Sequence, residues 1–307
     1  MGYFETSLKC IAQRKFVNIP AWHEHGFTGK GITIFHDDLG ETSHNACCKD
    51  VIQTILPDAR VLSGSISWHY KDGAMESCNI KCNEMGETLP FEDFIVKYDV
   101  SQINNSTGAG DNGDNLETPQ SRYFREMIQK HNLFCTGSAG NYKGMTNKYQ
   151  GAFVLVSGAY LVDGRITDYG SEGSPVDFSM FMGFQSGTSF ASPFLNGMAG
   201  LVRCKYGRIT QAEIYDYFKN HCIDLGEPGD DVEYGWGLPI LGEPSMRVVL
   251  QIGKGTALVE GKEVLLDQAP VIDKGSNRTL IPLRFISETF GAKVEWNDAD
   301  KTIVIER

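Results

Sequence analysis

The string Ser186-Gly187-Thr188-Ser189-Phe190-Ala191-Ser192-Pro193 constrains this chain more than any other part of it. A glycine permits a sharp backbone turn, and small residues follow it. A proline three positions after Phe190 is tolerated where a helix begins, because the N–H it lacks is unpaired there. Ala191, Gly197, Met198, Ala199, Gly200 and Leu201 then describe a helix slim enough to be buried on all sides. The string therefore predicts a tight strand-to-helix turn with the Ser189 hydroxyl projecting from the first helical turn. Free backbone N–H groups and the positive end of the helix dipole lie beside such a hydroxyl and favour negative charge developing near it. A serine capping a core helix is the plainer reading of the same string.

The order of elements fits a buried central helix. Apolar runs at 32–36, 61–66, 94–103, 133–136 and 153–160 read as strands, and helical spacing recurs at 45–56, 119–131, 188–204 and 210–220. Thr118 followed by Pro119 starts the second of these helices, with Tyr123, Met127, Ile128 and His131 as its inward stripe. Strands alternating with helices predict a parallel sheet covered on both faces, with a site at the C-terminal edge of the strands.

The Ser186–Pro193 string resembles the nucleophile motif of subtilisin-like serine proteases, and further motifs of that family follow in its order. Gly31-Ile32-Thr33-Ile34-Phe35-His36-Asp37-Asp38-Leu39-Gly40 is similar to the family's first core strand, which ends in an aspartate, one residue and a glycine. Asp38 is the match. Neighbouring strand residues face opposite ways, so Asp37 and Asp38 cannot both point at one site. His44, in Ser43-His44-Asn45-Ala46-Cys47-Cys48, precedes an amphipathic helix carrying Val51, Ile52 and Ile55 and stands where the family's catalytic histidine opens a helix. Asn45 replaces the family's glycine after that histidine, and the stretch from Asp38 to His44 is short. His36 and His69 are the competing bases; each flanks an expected strand and neither opens a helix.

Thr136-Gly137-Ser138-Ala139-Gly140-Asn141 resembles the family's Ala-Gly-Asn motif, whose asparagine amide donates to the oxyanion beside the backbone N–H of the serine. Asn104-Asn105-Ser106-Thr107-Gly108 resembles the Asn-x-Ser-x-Gly strand end along which an extended substrate adds as a β-strand. The resemblance thus implies a serine endopeptidase with Ser189 as nucleophile, His44 as base, Asp38 as its orienting partner and Asn141 as oxyanion donor. Ser106, Thr107, Gly108 and Gly140 would line the substrate, and Tyr142, Lys143, Lys148 and Tyr149 stand around the adjoining pocket. An ordinary turn asparagine and a polar loop are the alternatives at Asn141 and at 106–108. A catalytically idle subtilisin fold used for binding, or an envelope-associated protein, is the alternative for the whole.

After Pro239 and Pro244 the pattern changes. Short alternating runs lead to Arg278–Trp296, where Leu283, Ile286 and Phe290 share one face of a short helix begun by Pro282 and stopped by Gly291. This module resembles the stalk domain related to the N-terminal domain of copper amine oxidases, found on bacterial surface and secreted proteins. It has no His or Cys, so no imidazole or thiolate ligand for copper. The expected architecture is an N-terminal extension 1–28, an α/β subtilisin-like peptidase domain 29–242 with helices on both faces of a parallel sheet, and a small α+β stalk domain 246–307.

Composition narrows partners and surroundings. The net charge of −11 disfavours nucleic acid, and no apolar run of membrane-spanning length is present. Residues 1–5 lack a basic segment followed by an apolar one, so no secretory signal is expected. Cys10, Cys47, Cys48, Cys78, Cys82, Cys135, Cys204 and Cys222 do not form a disulfide framework by spacing, and thiols imply a reducing compartment at synthesis. These signs point to the cytoplasm at synthesis, while the stalk resemblance implies the envelope of a bacterial or phage-related system; an internal protease, or one released by cell lysis or a phage-type route, would satisfy both. No cofactor is expected: the loop 108–115 has carboxylates and amides of the kind that hold calcium, but no bidentate glutamate at a known spacing, and a solvated turn is expected there. The partner is a protein or peptide substrate.

Overall fold

The computed structural model describes residues 7–38, 42–72, 74–107, 118–141, 147, 149, 151–163, 165–168, 176–183 and 186–306. The chain divides into two compact units, Met1–Glu243 and Pro244–Arg307.

The first unit is built on a mixed sheet whose strand order is β4-β3-β2-β1-β5-β6-β7-β8, with β9 also paired to β7. These strands are β1 (Thr33–Asp37), β2 (Arg60–Lys71), β3 (Ala74–Cys82), β4 (Glu87–Pro90), β5 (Gln102–Asn105), β6 (Phe134–Ser138), β7 (Val154–Val162), β8 (Arg165–Asp168) and β9 (Phe178–Phe181). The centre, β2-β1-β5-β6-β7 with β9, is parallel. β3, β4 and β8 extend it antiparallel, which the reading of a parallel sheet did not include.

Successive residues of β1 supply opposite cores: Ile34 packs on one face and Phe35 on the other. The Ile34 face is covered by helices α1 (Leu8–Phe16), α2 (Ile19–Glu24), α3 (Ser43–Ile55), α6 (Thr188–Tyr206) and α7 (Gln211–Lys219). The Phe35 face carries α4 (Phe91–Lys97) and α5 (Pro119–His131). No helix among the described residues is long and apolar enough to cross a membrane.

Two segments depart from the sequence reading. The run 94–103 is not one strand: Phe91, Phe94 and Ile95 are buried at helical spacing in α4, Asp99 turns the chain at φ 47°, and only Gln102–Asn105 is extended. Apolar content is equal in both descriptions, so the period decides. The segment set apart as an N-terminal extension is part of the first unit. Cys10, Val17, Ile19 and Trp22 are fully buried in the Ile34-side core, and the Trp22 indole donates to the Gly242 carbonyl at 2.8 Å.

α6 is buried along nearly its whole length, and its glycines make that possible. A Cβ on Gly200 would lie 2.4 Å from Leu56 Cδ1, and one on Gly197 3.0 Å from Ile55 Cβ. The small residues therefore let α6 lie against α3, so that both helices start at the C-terminal ends of β1 and β5.

α3 has a second anchor. The Glu84 carboxylate accepts from Ser63 N at 2.7 Å and Ser63 Oγ at 2.7 Å, and pairs with Lys49 on α3. Burial alone would raise this carboxyl, but the Lys49 and Ser63 bonds outweigh it and hold the group down at about 2. A depressed folded pKa contributes stability above the unfolded value and loses it as pH falls through the folded one. Glu84→Gln should cost about 1 kcal/mol at neutral pH. In urea titrations, that difference from wild type should narrow as pH falls below about 4.

The second unit, by itself, contains β12 (Val248–Leu250), β13 (Thr256–Val259) and β14 (Lys262–Leu265) in one antiparallel sheet. The hairpins β15 (Val271–Asp273)/β16 (Arg278–Leu280) and β17 (Lys293–Asn297)/β18 (Thr302–Glu306) flank helix α8 (Leu283–Thr289). The first unit closes before it with the short pair β10 (Cys222–Ile223) and β11 (Leu238–Pro239).

Candidate active site

Three adjacent parallel strands deliver polar residues to one edge. β1 ends in Asp37 and Asp38, β5 in Asn104, Asn105 and Ser106, and β6 runs to Gly140 and Asn141. The Asp38 N–H donates to Gly64 O at 2.8 Å, which holds this residue just beyond the ladder.

Asp38 lies on the α3/α6 face, as alternation along β1 requires, and Asp37 on the other. Asp37 accepts from Ile66 N at 2.9 Å and Asn105 Nδ2 at 2.7 Å and so ties three strands together. Asp38, only 4% exposed, meets His44 Nδ1 at 2.7 Å through Oδ2. Burial would raise the Asp38 carboxyl, but His36 and then His44 beside it hold it well below the usual carboxylate range.

His44 is the second residue of α3. Its helix is capped by Thr42, whose hydroxyl accepts from Asn45 N at 3.1 Å. Asn45, in place of glycine, is buried and leaves this cap intact. The His44 ring, about a third exposed, lies against Phe190 with centroids 5.2 Å apart, so the imidazole packs on the residue after Ser189.

Ser189 is the second residue of α6, where backbone N–H groups have no intrahelical acceptor. Its N-cap, Gly187, has φ 137°, a conformation that favours glycine. The Ser189 hydroxyl donates to the Ser106 carbonyl at 2.9 Å rather than to His44. The Ser189 hydroxyl and the His44 imidazole thus each have another partner and do not share a hydrogen bond.

Pro193 requires a revised account. It is the sixth residue of α6, beyond the turn in which a missing N–H is free of cost, so it withholds the donor that the Ser189 carbonyl would otherwise receive. Ser106 replaces that donor: its Oγ–H reaches Ser189 O at 2.8 Å, with the Cys48 thiol at 3.4 Å. Ser106 thus holds the serine twice, its carbonyl on the hydroxyl and its hydroxyl on the carbonyl. Ser106→Ala should cost about 1–2 kcal/mol. Thermal or urea unfolding should show a smaller cost in a Pro193→Ala background, where a helical N–H is restored; equal costs in the two backgrounds would contradict the replacement.

Asn141 is oriented by Thr188. Its Oδ1 accepts from Thr188 N at 2.9 Å and Thr188 Oγ1 at 3.1 Å, which turns its NH₂ group away from the helix. The Gly140 N–H donates to Thr188 Oγ1 at 3.2 Å. Thr107 is half-buried and its hydroxyl accepts from Asn105 Nδ2 at 3.1 Å.

Several residues named from sequence are either outside the described residues or away from the site. Gly108, the loop 108–115, Tyr142, Lys143 and Lys148 fall outside the described residues. Tyr149 does not line an open pocket: it is fully buried, packed on Phe124 and Phe153. His69 sits at the exposed end of β2. His36 is wholly buried beside Asp38, its Nε2 3.5 Å from Oδ2. Sequence reasoning weighed His36 only as a rival base and passed over Asn104. Nothing local marks either residue, although His36 sits two positions before Asp38 and so on the same strand face.

A buried carboxylate hydrogen-bonded to a part-exposed imidazole, with a helix-start serine at the same corner, is the constellation of a serine hydrolase. The sequence profile of the subtilase family matches residues 15–237, and that of the copper amine oxidase N-terminal domain matches residues 241–305. The chain belongs to the subtilase family and is a serine protease. No curated protein matches it. Among solved structures, a lanthipeptide protease is similar at 15% identity and a TM-score of 0.54, over 78% of this chain and 95% of that one. Fervidolysin from Fervidobacterium pennivorans, a keratinolytic enzyme related to subtilisin, is similar at 14% identity and a TM-score of 0.52. That match covers 78% of this chain and 47% of that one. Both likenesses are of fold.

Proposed function

We propose that the chain is a serine endopeptidase in which Ser189 attacks the scissile carbonyl and forms an acyl-enzyme. His44 takes the hydroxyl proton through Nε2 and returns it to the leaving amine. Asp38 fixes the imidazole with Nδ1–H toward the carboxylate and stabilises the imidazolium that forms. The NH₂ group of Asn141 and the Ser189 N–H hold the oxyanion. The 2.7 Å bond between Asp38 and His44 carries this reading.

The chemistry requires one local change. Rotation of the Ser189 side chain takes its hydroxyl from the Ser106 carbonyl to His44 Nε2. Catalytic hydrogen bonds are often loose without substrate and tighten in the complex. An extended peptide runs along Ser106 and Thr107, with Gly140 giving its backbone room. The unit from Pro244 on serves as a spacer or docking module, which would place the protease at a cell envelope after release from a reducing compartment.

The Ser106-bound hydroxyl also favours a second reading, a subtilisin fold that binds without cleaving. A fluorophosphonate probe separates the two. Wild type should be labelled covalently and should hydrolyse casein; Ser189→Ala should lose both. His44→Ala should lower turnover by several orders of magnitude and Asn141→Ala by about 10²–10³. A wild type that neither labels nor cleaves would favour the binding reading.

A further inference from the structure

We propose that His36 is a positioning residue that donates a hydrogen bond from Nε2–H to Asp38 and so shares that carboxylate with His44. The proposal rests on Asp38 and His44 being the working pair. It follows from where each proton in a buried network must be.

The network begins at a group whose role is not in doubt, the Ile103 backbone carbonyl, which can only accept. Asn196 meets it at 3.0 Å, so that atom of Asn196 is the NH₂ nitrogen. The same nitrogen donates to Thr136 Oγ1 at 3.1 Å, and the Thr136 hydroxyl donates in turn to Asn104 Oδ1 at 3.0 Å, the nearer of its two acceptors, the Ser192 carbonyl being 3.4 Å away. Ser192 Oγ lies 2.6 Å from the same atom, a length of O–H···O and not of N–H···O bonds. Asn104 Oδ1 is therefore the oxygen. Its nitrogen spends one hydrogen on Ser106 Oγ at 2.9 Å and the other on His36 Nδ1 at 2.9 Å. The Ser106 end agrees, because Ser106 Oγ must keep its own hydrogen for the Ser189 carbonyl.

His36 Nδ1 is thus an acceptor, and in a neutral imidazole the proton is then on Nε2. That nitrogen is buried with no partner in good hydrogen-bond geometry, 3.5 Å from Asp38 Oδ2. Buried N–H groups are rarely left unpaired, and a small ring rotation brings this one onto the carboxylate. His44 Nδ1 comes to the same oxygen from α3, and the Cys48 thiol on α3 also faces Asp38. Two N–H groups on one carboxylate restrict its rotation, and with it the angle at which His44 is held.

The same cluster has a competing use. His36, Asp38 and Cys48 place atoms of metal-ligand type within 4.8 Å of one another. A histidine that ligates through Nε2 carries its proton on Nδ1 and gives it to an acceptor. Here Nδ1 faces the Asn104 NH₂ group, a donor, so the surroundings of His36 have the wrong sense for a metal and the right sense for a carboxylate.

The test has a spectroscopic and a kinetic arm. Imidazole ¹⁵N NMR of the wild-type protein, recorded at about pH 8, should show His36 protonated at Nε2, the signals being assigned by their loss in His36→Gln. A proton on Nδ1 would overturn the proposal. Inactivation by a fluorophosphonate should slow about 10–100-fold in His36→Leu, which removes the donor. His36→Gln, whose amide can donate from a similar position, should recover most of that loss. Equal rates in all three proteins, or equal losses in the two variants, would also overturn it. If His36→Leu does not fold, the wild-type tautomer and the His36→Gln rate still decide. A wild type unlabelled at Ser189 overturns the reading of the site, and with it the role of His36, whichever nitrogen carries the proton.

Discussion

Asn104 has two acceptor positions and two donor hydrogens, and in this fold all four are used, by Ser192, Thr136, Ser106 and His36. It sits at the end of the central strand β5, wholly buried, where an unmet polar group would be costly. Its oxygen fastens α6 and β6 to the strand. Its nitrogen faces both halves of the site: through Ser106 it bears on the serine, and through His36 on the Asp38 side. A buried side chain whose every donor and acceptor is met is stiff, because displacing it strands its partners. The spacing between the α6 N-terminus and the β1 end rests on this side chain.

The position of Ser189 depends on a deliberate gap in its own helix. Pro193 removes the N–H that would have bound the Ser189 carbonyl internally, and so makes that carbonyl available to another part of the fold. Ser106 takes it, together with the serine hydroxyl. The first turn of α6 is thereby held by β5 as much as by its own ladder. A helix with a complete ladder would have had no such need of the strand. Glycine does the complementary work along the same helix: Gly197 and Gly200 let α3 come close, which brings His44 to the corner where Ser189 begins.

Much of this was legible along the chain. The α3, α5, α6 and α7 patterns announce themselves through period and caps, and the structure bounds α5 at Pro119 and His131 as the sequence reading does. Asp38 could be preferred to Asp37 because strand neighbours diverge, and the two carboxylates do face opposite layers. The stretch 94–103 shows the limit. Phe94, Ile95 and Val100 suit a strand or a helix equally by composition, and only Phe91 at the preceding turn of the same face reveals the helix. The two N-terminal helices were not foreseen, since the partners that tie them down come from the other end of the unit's sequence: the Trp22 indole donates to the Gly242 carbonyl and the Leu241 N–H to the Val17 carbonyl.

Sequence by itself determined which chemical groups are available and in what order the elements carry them, because motif spacing and periodicity are properties of a few neighbouring residues. It named an alcohol, an imidazole, a carboxylate and an amide, and the helices and strand ends that bear them. Tertiary structure decided how those groups are committed. That the Ser106 hydroxyl serves Ser189, that Tyr149 is core and that Asn104 donates to His36 are facts about distant segments meeting. The nitrogen on which a histidine keeps its proton depends on who stands opposite each ring atom, and only the folded chain sets those partners.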